Sequence, residues 1–143
     1  MNERMRALAD DKDICALATL SPSGPHQSLM AYVRDPETDS FILFTEEQTT
    51  KWANIERNPN LCLLIDSREE DLPERRDRAR ALTIKARHET PTEAETIRLR
   101  QLFLLRHPHM EAFLDRPGAR MIRAVPRSYL LLTGLEQAEY EEV

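Results

Sequence analysis

The segment from Thr45 to Lys51 combines the residue types that bind a phosphate group. A strand predicted over residues 41–45 ends in Thr45, a short polar link follows, and a helix is predicted to begin near Thr49, Thr50 and Lys51. The first turn of a helix has unpaired N–H groups and a partial positive charge, to which threonine hydroxyls and a lysine add hydrogen bonds and a full charge. Threonine is also a common helix cap, and the spacing alone favours capping.

A second candidate is the strand predicted over residues 26–33, which could form the wall of a ligand site. Ser28, Met30 and Tyr32 share one face of this strand, and Leu29 lies on the other. A flat aromatic ligand could lie against that face and accept hydrogen bonds from the strand edge. The same pattern is typical of an ordinary barrel wall, which is the more frequent case.

Four histidines are candidate metal or haem ligands. His107 and His109 flank Pro108 and resemble a ligand pair, but no third ligand lies near them in the sequence. Because metal sites use three or four protein ligands, we predict no metal site. Histidine is also an axial haem ligand, so haem binding stays open. The four candidates are His26, His88, His107 and His109.

Other catalytic signatures are missing from the sequence. Cys15 and Cys62 lie in apolar runs and are predicted to be buried thiols rather than nucleophiles. There is no nucleophile elbow, glycine-rich phosphate loop or metalloprotease helix, and three glycines are too few for a dinucleotide fingerprint. No strong general acid or base stands out, so the catalytic residues stay unknown.

Composition bounds the class of protein. The chain has 143 residues, enough for a single domain over residues 1–143 with a sizeable core. A net charge of −5 disfavours nucleic acid as a partner. No apolar run is long enough to span a membrane, and two cysteines fit a reducing cytoplasm.

The elements that must position these residues are short apolar strands with a few helices. The continuous apolar run at residues 13–20 predicts a strand covered on both faces, and Thr92 with Glu95 predicts a capping box that begins a helix. Six mostly sequential strands predict a small closed barrel. Strands are predicted at 13–20, 26–33, 41–45, 61–65, 81–89 and 119–133 with a kink at Pro126; helices at 2–10, 49–57, 92–106 and 108–114; a charged loop at 67–80; and an acidic tail.

A series of segments in a fixed order then carries a resemblance. They are Ala18–Leu20, Ser23–His26, residues 28–33, Phe44–Thr45, Thr49–Ile55, Asn58–Pro59 and Leu63–Asp66. This order resembles the pyridoxamine 5′-phosphate oxidase-like family of split barrels that bind flavin mononucleotide (FMN). The strand at 81–89 and the last strand near 119–133 continue the resemblance more weakly.

The resemblance implies a fold and a cofactor site. The fold is mainly β with flanking helices, a six-stranded antiparallel split barrel that forms a homodimer with FMN at the subunit interface. The family binds the FMN phosphate with a Ser-Arg-Lys motif at a helix start. Thr49 matches the serine and Lys51 the lysine, whereas Thr50 replaces the arginine.

Further contacts follow from the same resemblance. Thr45 matches a ribityl or phosphate contact of the family. The family strand that lies along the isoalloxazine ring matches residues 28–32, so the implied ring contacts are Ser28, Leu29, Met30 and Tyr32.

The implied function is that of a cytoplasmic FMN-dependent oxidoreductase acting on a small molecule. Ser28 stands where the oxidase has an arginine, and the oxidase's C-terminal substrate segment is missing, so we do not expect vitamin B6 oxidation itself. Two alternatives stay open. One is a haem-binding or haem-degrading split barrel, and the other is a cofactor-free dimeric interaction module, suggested by Thr50.

Overall fold

The computed structural model describes all 143 residues and contains one antiparallel sheet of eight strands that curls into a half-barrel. The strands follow the spatial order β2-β1-β5-β6-β7-β4-β3, and β8 pairs with the second half of β7. Their bounds are β1 Ile14–Ser21, β2 Gly24–Ala31, β3 Val33–Arg34, β4 Phe41–Glu46, β5 Asn60–Asp66, β6 Arg80–His88, β7 Ala119–Thr133 and β8 Gln137–Glu142.

Four α-helices flank the sheet: α1 Glu3–Asp11, α2 Thr50–Arg57, α3 Glu93–Arg106 and α4 Glu111–Leu114. The predicted capping box is present, because Thr92 and Glu95 each accept a hydrogen bond from the other's backbone N–H. Short 3₁₀ segments lie at Pro73–Arg78 and Pro108–Met110. No helix is both long enough and apolar enough to cross a bilayer.

The main core fills the inside of the curl, where alternate residues of each strand point inward. Leu63 and Ile65 of β5 and Leu82 and Ile84 of β6 are fully buried there. A smaller cluster packs α3 and α4 against the other side of β4, with Phe44 and Phe103 in edge contact at 4.9 Å. β4 is therefore buried on both faces, which explains its continuous apolar sequence.

The predicted fold class is confirmed, but the strand count is eight rather than six. One extra strand is β8, where only an acidic tail was predicted. Its residues alternate, so that Glu139 and Glu141 point toward α1 and pair with Arg4 and the N-terminal amine of Met1. These ion pairs neutralise Glu139 and Glu141, so the backbone of this segment can extend the edge of β7.

The other extra strand arises because the predicted strand 26–33 is broken. β2 ends at Ala31, Tyr32 turns into the core, and the two-residue β3 pairs with β4. By contrast, the predicted kink at Pro126 does not break the last strand. β7 runs continuously to Thr133 with a bulge opposite Lys85.

The prediction that the first strand is covered on both faces is wrong for this chain alone. Cys15, Leu17 and Thr19 are buried, but Ile14 and Leu20 on the outward face are 49% and 42% exposed. The apolar outward residues therefore have no covering element within the chain.

Candidate functional site

The end of β4 and the start of α2 form a corner built around two threonine hydroxyls. The Oγ1 atoms of Thr45 and Thr49 are 3.0 Å apart. Thr49 donates to the carbonyl of Glu46 at 2.8 Å, so it is Thr45 that donates to Thr49. Thr49 also caps α2, because its Oγ1 accepts from the N–H of Trp52 at 3.3 Å. Capping is thus present, and the corner is rigid.

Lys51 occupies an electrostatically unfavourable position in the first turn of α2. The positive end of a helix dipole repels a cation, and this first turn contains no acidic residue. Lys51 is half-buried, and no carboxylate lies within 4 Å of it among the ion pairs of the chain. Thr50 beside it is exposed. An anion bound here would neutralise both the lysine and the helix terminus.

Buried contacts hold α2 against the barrel. Asn54 is buried and its Nδ2 donates to Oγ1 of Thr19 on β1 at 3.1 Å. Trp52 packs on the core and meets the ring of His88 edge-on at 5.7 Å. Burial lowers the pKa of His88, whose Nδ1 accepts from the N–H of Arg123 at 3.3 Å. A neutral His88 thus supports Trp52, and α2 has a fixed orientation.

The predicted ring contacts on β2 lie on two different faces of the strand. Ser28 and Met30 point into the curl, whereas the side chain of Leu29 points outward and is 68% exposed. β2 is an edge strand, so its outer backbone edge is unpaired along these residues. A single ligand can contact all three only along that edge. His26 on the inward face has a buried Nδ1 without a hydrogen-bond partner.

Tyr32 lies in the core instead of in the wall of an open site. It is 1% exposed, packs against Phe41 with ring centroids 5.8 Å apart, and donates its hydroxyl to the carbonyl of Ala9 at 2.7 Å. Burial raises the pKa of Tyr32 well above its usual value. Its side chain offers a ligand no accessible surface.

Arg120 is a residue near the corner that sequence reasoning missed. It pairs with Thr45 across β4 and β7, and its guanidinium forms an ion pair with Glu47 at 2.5 Å. It also donates to the carbonyls of Pro117 and Ala119, both at 3.0 Å. No local spacing could reveal this neighbour, because the pairing of β4 with β7 joins distant parts of the chain.

The histidines and cysteines do not converge on the corner. His107 is buried and its Nε2 lies 2.8 Å from the carbonyl oxygen of Tyr32, whereas His109 is exposed. Cys15 is buried, and this burial raises its pKa to about 12. Cys62 is half-buried on the outward side of β5, and burial raises its pKa as well.

Solved structures resemble this fold over nearly its whole length. A haem-binding protein of Mycobacterium smegmatis matches 98% of the chain with a TM-score of 0.87 and 16% identity, and the chain spans 57% of that protein. The match to the haem storage protein HutZ of Vibrio cholerae covers 92% of this chain and 92% of HutZ, with a TM-score of 0.74 and 16% identity. The match to an FAD-binding protein of Mesorhizobium loti covers 92% of this chain and 94% of that protein, with a TM-score of 0.72 and 11% identity.

At these identities the structural likeness shows the fold alone. No curated protein matches the sequence. The family model of pyridoxamine 5′-phosphate oxidase matches residues 1–104, which is most of the chain and includes β1 to β6, α2 and the corner. The chain belongs to the pyridoxamine 5′-phosphate oxidase family.

Proposed function

We propose that residues 1–143 form one split-barrel domain that binds FMN and acts as a flavin-dependent oxidoreductase on a small molecule. The strongest support is Lys51, an unpaired cation at the N-terminus of α2 beside the Thr45–Thr49 hydroxyl pair. Such a position costs stability without an anion and is relieved by a phosphate.

The proposed phosphate site uses Lys51, the hydroxyl of Thr50 and the first N–H groups of α2. The hydroxyl of Thr49 would join it by turning the proton that it gives to the Glu46 carbonyl toward the phosphate. Thr45 would hold Thr49 in place or contact the ribityl chain. Arg120, at the neighbouring position on β7, is a second cation within the same corner. It is shared with Glu47, so Lys51 carries most of the charge recognition.

The proposed ring site is the outer edge of β2 from Ser28 to Met30, with Leu29 on the outward side. Tyr32 would support this strand from the core through its hydrogen bond to Ala9 and would not touch the ring. Bound FMN would supply hydride or electron transfer, while the protein binds and orients it. We propose a homodimer with FMN between two chains, and a cytoplasmic location that fits two free thiols.

Haem binding is the second candidate. Its support is that two of the similar structures are a haem-binding and a haem storage protein. His107 is buried and engaged with a backbone carbonyl. The exposed His109 and the half-buried His88, whose Nδ1 is used by the N–H of Arg123 but whose Nε2 is not, would be the ligands to test. A cofactor-free dimer is the remaining alternative, because Thr50 replaces a phosphate-binding arginine of the family.

The test compares FMN with riboflavin, which lacks the phosphate. We expect the purified protein to retain flavin absorption bands through gel filtration. Lys51→Ala should weaken FMN binding roughly ten- to a hundredfold, or about 1.5–3 kcal/mol, and leave riboflavin binding unchanged. Arg57→Ala, at the far end of the same helix, is the matched control and should leave both FMN binding and riboflavin binding unchanged.

The other outcomes separate the candidates. Equal losses of FMN and riboflavin binding in Lys51→Ala would show that Lys51 does not recognise the phosphate. A protein that ignores flavin but develops a Soret band with haem, lost in His88→Ala or His109→Ala, would replace the FMN proposal with haem binding. A protein that binds neither would be the cofactor-free module.

A further inference from the structure

Arg120 lies at the corner, and its guanidinium is held on two sides. Its Cα pairs with the Cα of Thr45 across β7 and β4, so the two side chains leave the same face of the sheet about 5 Å apart. One terminal nitrogen, Nη1, donates to the carbonyl oxygens of Pro117 and Ala119, both at 3.0 Å. The other, Nη2, donates to the carboxylate of Glu47 at 2.5 Å. The backbone therefore holds one side of the guanidinium and a carboxylate holds the other.

Glu47 belongs to the link between β4 and α2, and its backbone is fixed independently of its side chain. Its N–H donates to the carbonyl of Gly118 at 2.8 Å, which ties the link to the start of β7. The ion pair is exposed to solvent, because the side chains of Arg120 and Glu47 are 37% and 43% accessible. Exposed ion pairs contribute little to stability. The carboxylate can therefore leave Arg120 without disturbing the backbone of the corner.

A phosphate monoester bound at the corner carries more charge than Lys51 alone can neutralise. Such a group has a charge of roughly −1.5 to −2 at pH 7, whereas Lys51 supplies one positive charge. Arg120 is a second cation beside Thr45. A guanidinium presents parallel N–H donors that match two oxygens of a phosphate, whereas a lysine acts as a point charge. The corner thus contains the second charge that a phosphate needs, and the Glu47 carboxylate occupies it.

We propose that Glu47 competes with the cofactor phosphate for Arg120, and that the phosphate of FMN displaces the Glu47 carboxylate when it binds. Nη1 stays on the carbonyls of Pro117 and Ala119, so the guanidinium keeps its place while Nη2 changes partner. The displaced carboxylate turns to solvent, away from the phosphate that it would repel. This inference rests on the proposed FMN site and specifies what limits its affinity. Lys51 attracts the phosphate throughout, and Arg120 binds it after the exchange.

The neighbouring Glu46 provides a matched comparison, because it has the same charge and lies on the other face of β4. Alternation along β4 directs Thr45 toward the main core and Glu46 toward the side where α3 and α4 pack. The Glu46 carboxylate lies against Gly118, where a side chain at position 118 would collide with it. A general effect of negative charge near the corner should appear at both glutamates. Competition for Arg120 should appear only at Glu47.

The experiment measures the dissociation constants of FMN and riboflavin for the full chain and four variants of it. Glu47→Gln should bind FMN about fivefold more tightly, because Arg120 is released and a like charge is removed. Glu46→Gln should stay within about twofold of the original chain. Arg120→Ala should bind FMN about tenfold more weakly, and adding Glu47→Gln to it should give no gain. Riboflavin, which has no phosphate, should bind equally to all of them.

The rise in affinity is the critical readout, because damage to the fold weakens binding and does not strengthen it. Thermal melting checks that every variant folds. The competition would be overturned by no gain in Glu47→Gln, by an equal gain in Glu46→Gln, or by a gain that persists without Arg120. In each of these cases, FMN binding that still depends on Lys51 leaves the flavin proposal standing. A chain that binds no FMN would overturn both the flavin proposal and the competition.

Discussion

Lys12 and Lys51 lie at the ends of two helices, and their surroundings are opposite. Lys12 caps the C-terminus of α1, is 8% exposed, and has carboxylates of Asp11, Glu69 and Glu70 within 4 Å. Burial alone would lower its pKa, but hydrogen bonds to these carboxylates outweigh burial and raise it. Lys51 lies at the N-terminus of α2 with no carboxylate partner.

The contrast separates charges that hold the fold from a charge that is free to bind. A cation is favourable at the C-terminus of a helix and unfavourable at the N-terminus, so Lys12 stabilises α1 and Lys51 does not stabilise α2. Asp35 resembles Lys12, because it is fully buried and accepts two hydrogen bonds from Arg98 at 2.9 and 2.8 Å. Substitutions in the two classes should therefore affect different measurements.

The largest expected effect is on stability, in Asp35→Ala. The change removes the bidentate contact with Arg98, which joins α3 to the turn after β3. It also removes the hydrogen bond that Thr38 donates to Asp35 within that turn. We expect a loss of about 3 kcal/mol in the free energy of unfolding, measured with urea. FMN binding by the folded fraction should not change. A large loss of FMN affinity at normal stability would contradict the division between the two classes.

Acid should weaken the same contact in the intact chain. The guanidinium of Arg98 lowers the pKa of Asp35 from 3.8 to about 2. A lowered folded-state pKa means that the contribution is complete above about pH 4 and is lost as the pH falls toward 2. The full shift corresponds to about 2 kcal/mol, less the screening of the partly exposed Arg98. Unfolding of Asp35→Asn should lack this component between pH 4 and pH 2, and identical pH profiles would refute the assignment.

Local patterns in the sequence predicted those parts of the fold that local chemistry determines. Thr92 with Glu95 predicted the capping box, and the apolar residues 41–45 predicted the strand that the structure shows as β4. The corner was also predictable, because Thr45, Thr49 and Lys51 are close together in the chain. That these residues hold a cofactor stays a prediction.

Features that depend on distant pairing could not be predicted. β8 forms because Glu139 and Glu141 meet Arg4 and the N-terminal amine, which lie at the other end of the chain. Tyr32 was assigned to a ligand wall from strand alternation, but the chain turns there and buries it beside Ala9. Arg120 reaches the corner only through the pairing of β4 with β7.

The smallest expected effect uses two threonines that cap helices in the same way. Thr49 caps α2 and Thr92 caps α3, and in each case the hydroxyl accepts from the N–H three residues ahead. Thr49→Ala and Thr92→Ala should each cost about 1 kcal/mol in the free energy of unfolding. Only Thr49→Ala should also weaken FMN binding, by roughly tenfold, while leaving riboflavin unaffected. If both variants lose the same stability and neither loses FMN affinity, Thr49 only caps α2. Lys51 and the N–H groups of α2 would then bind the phosphate without it.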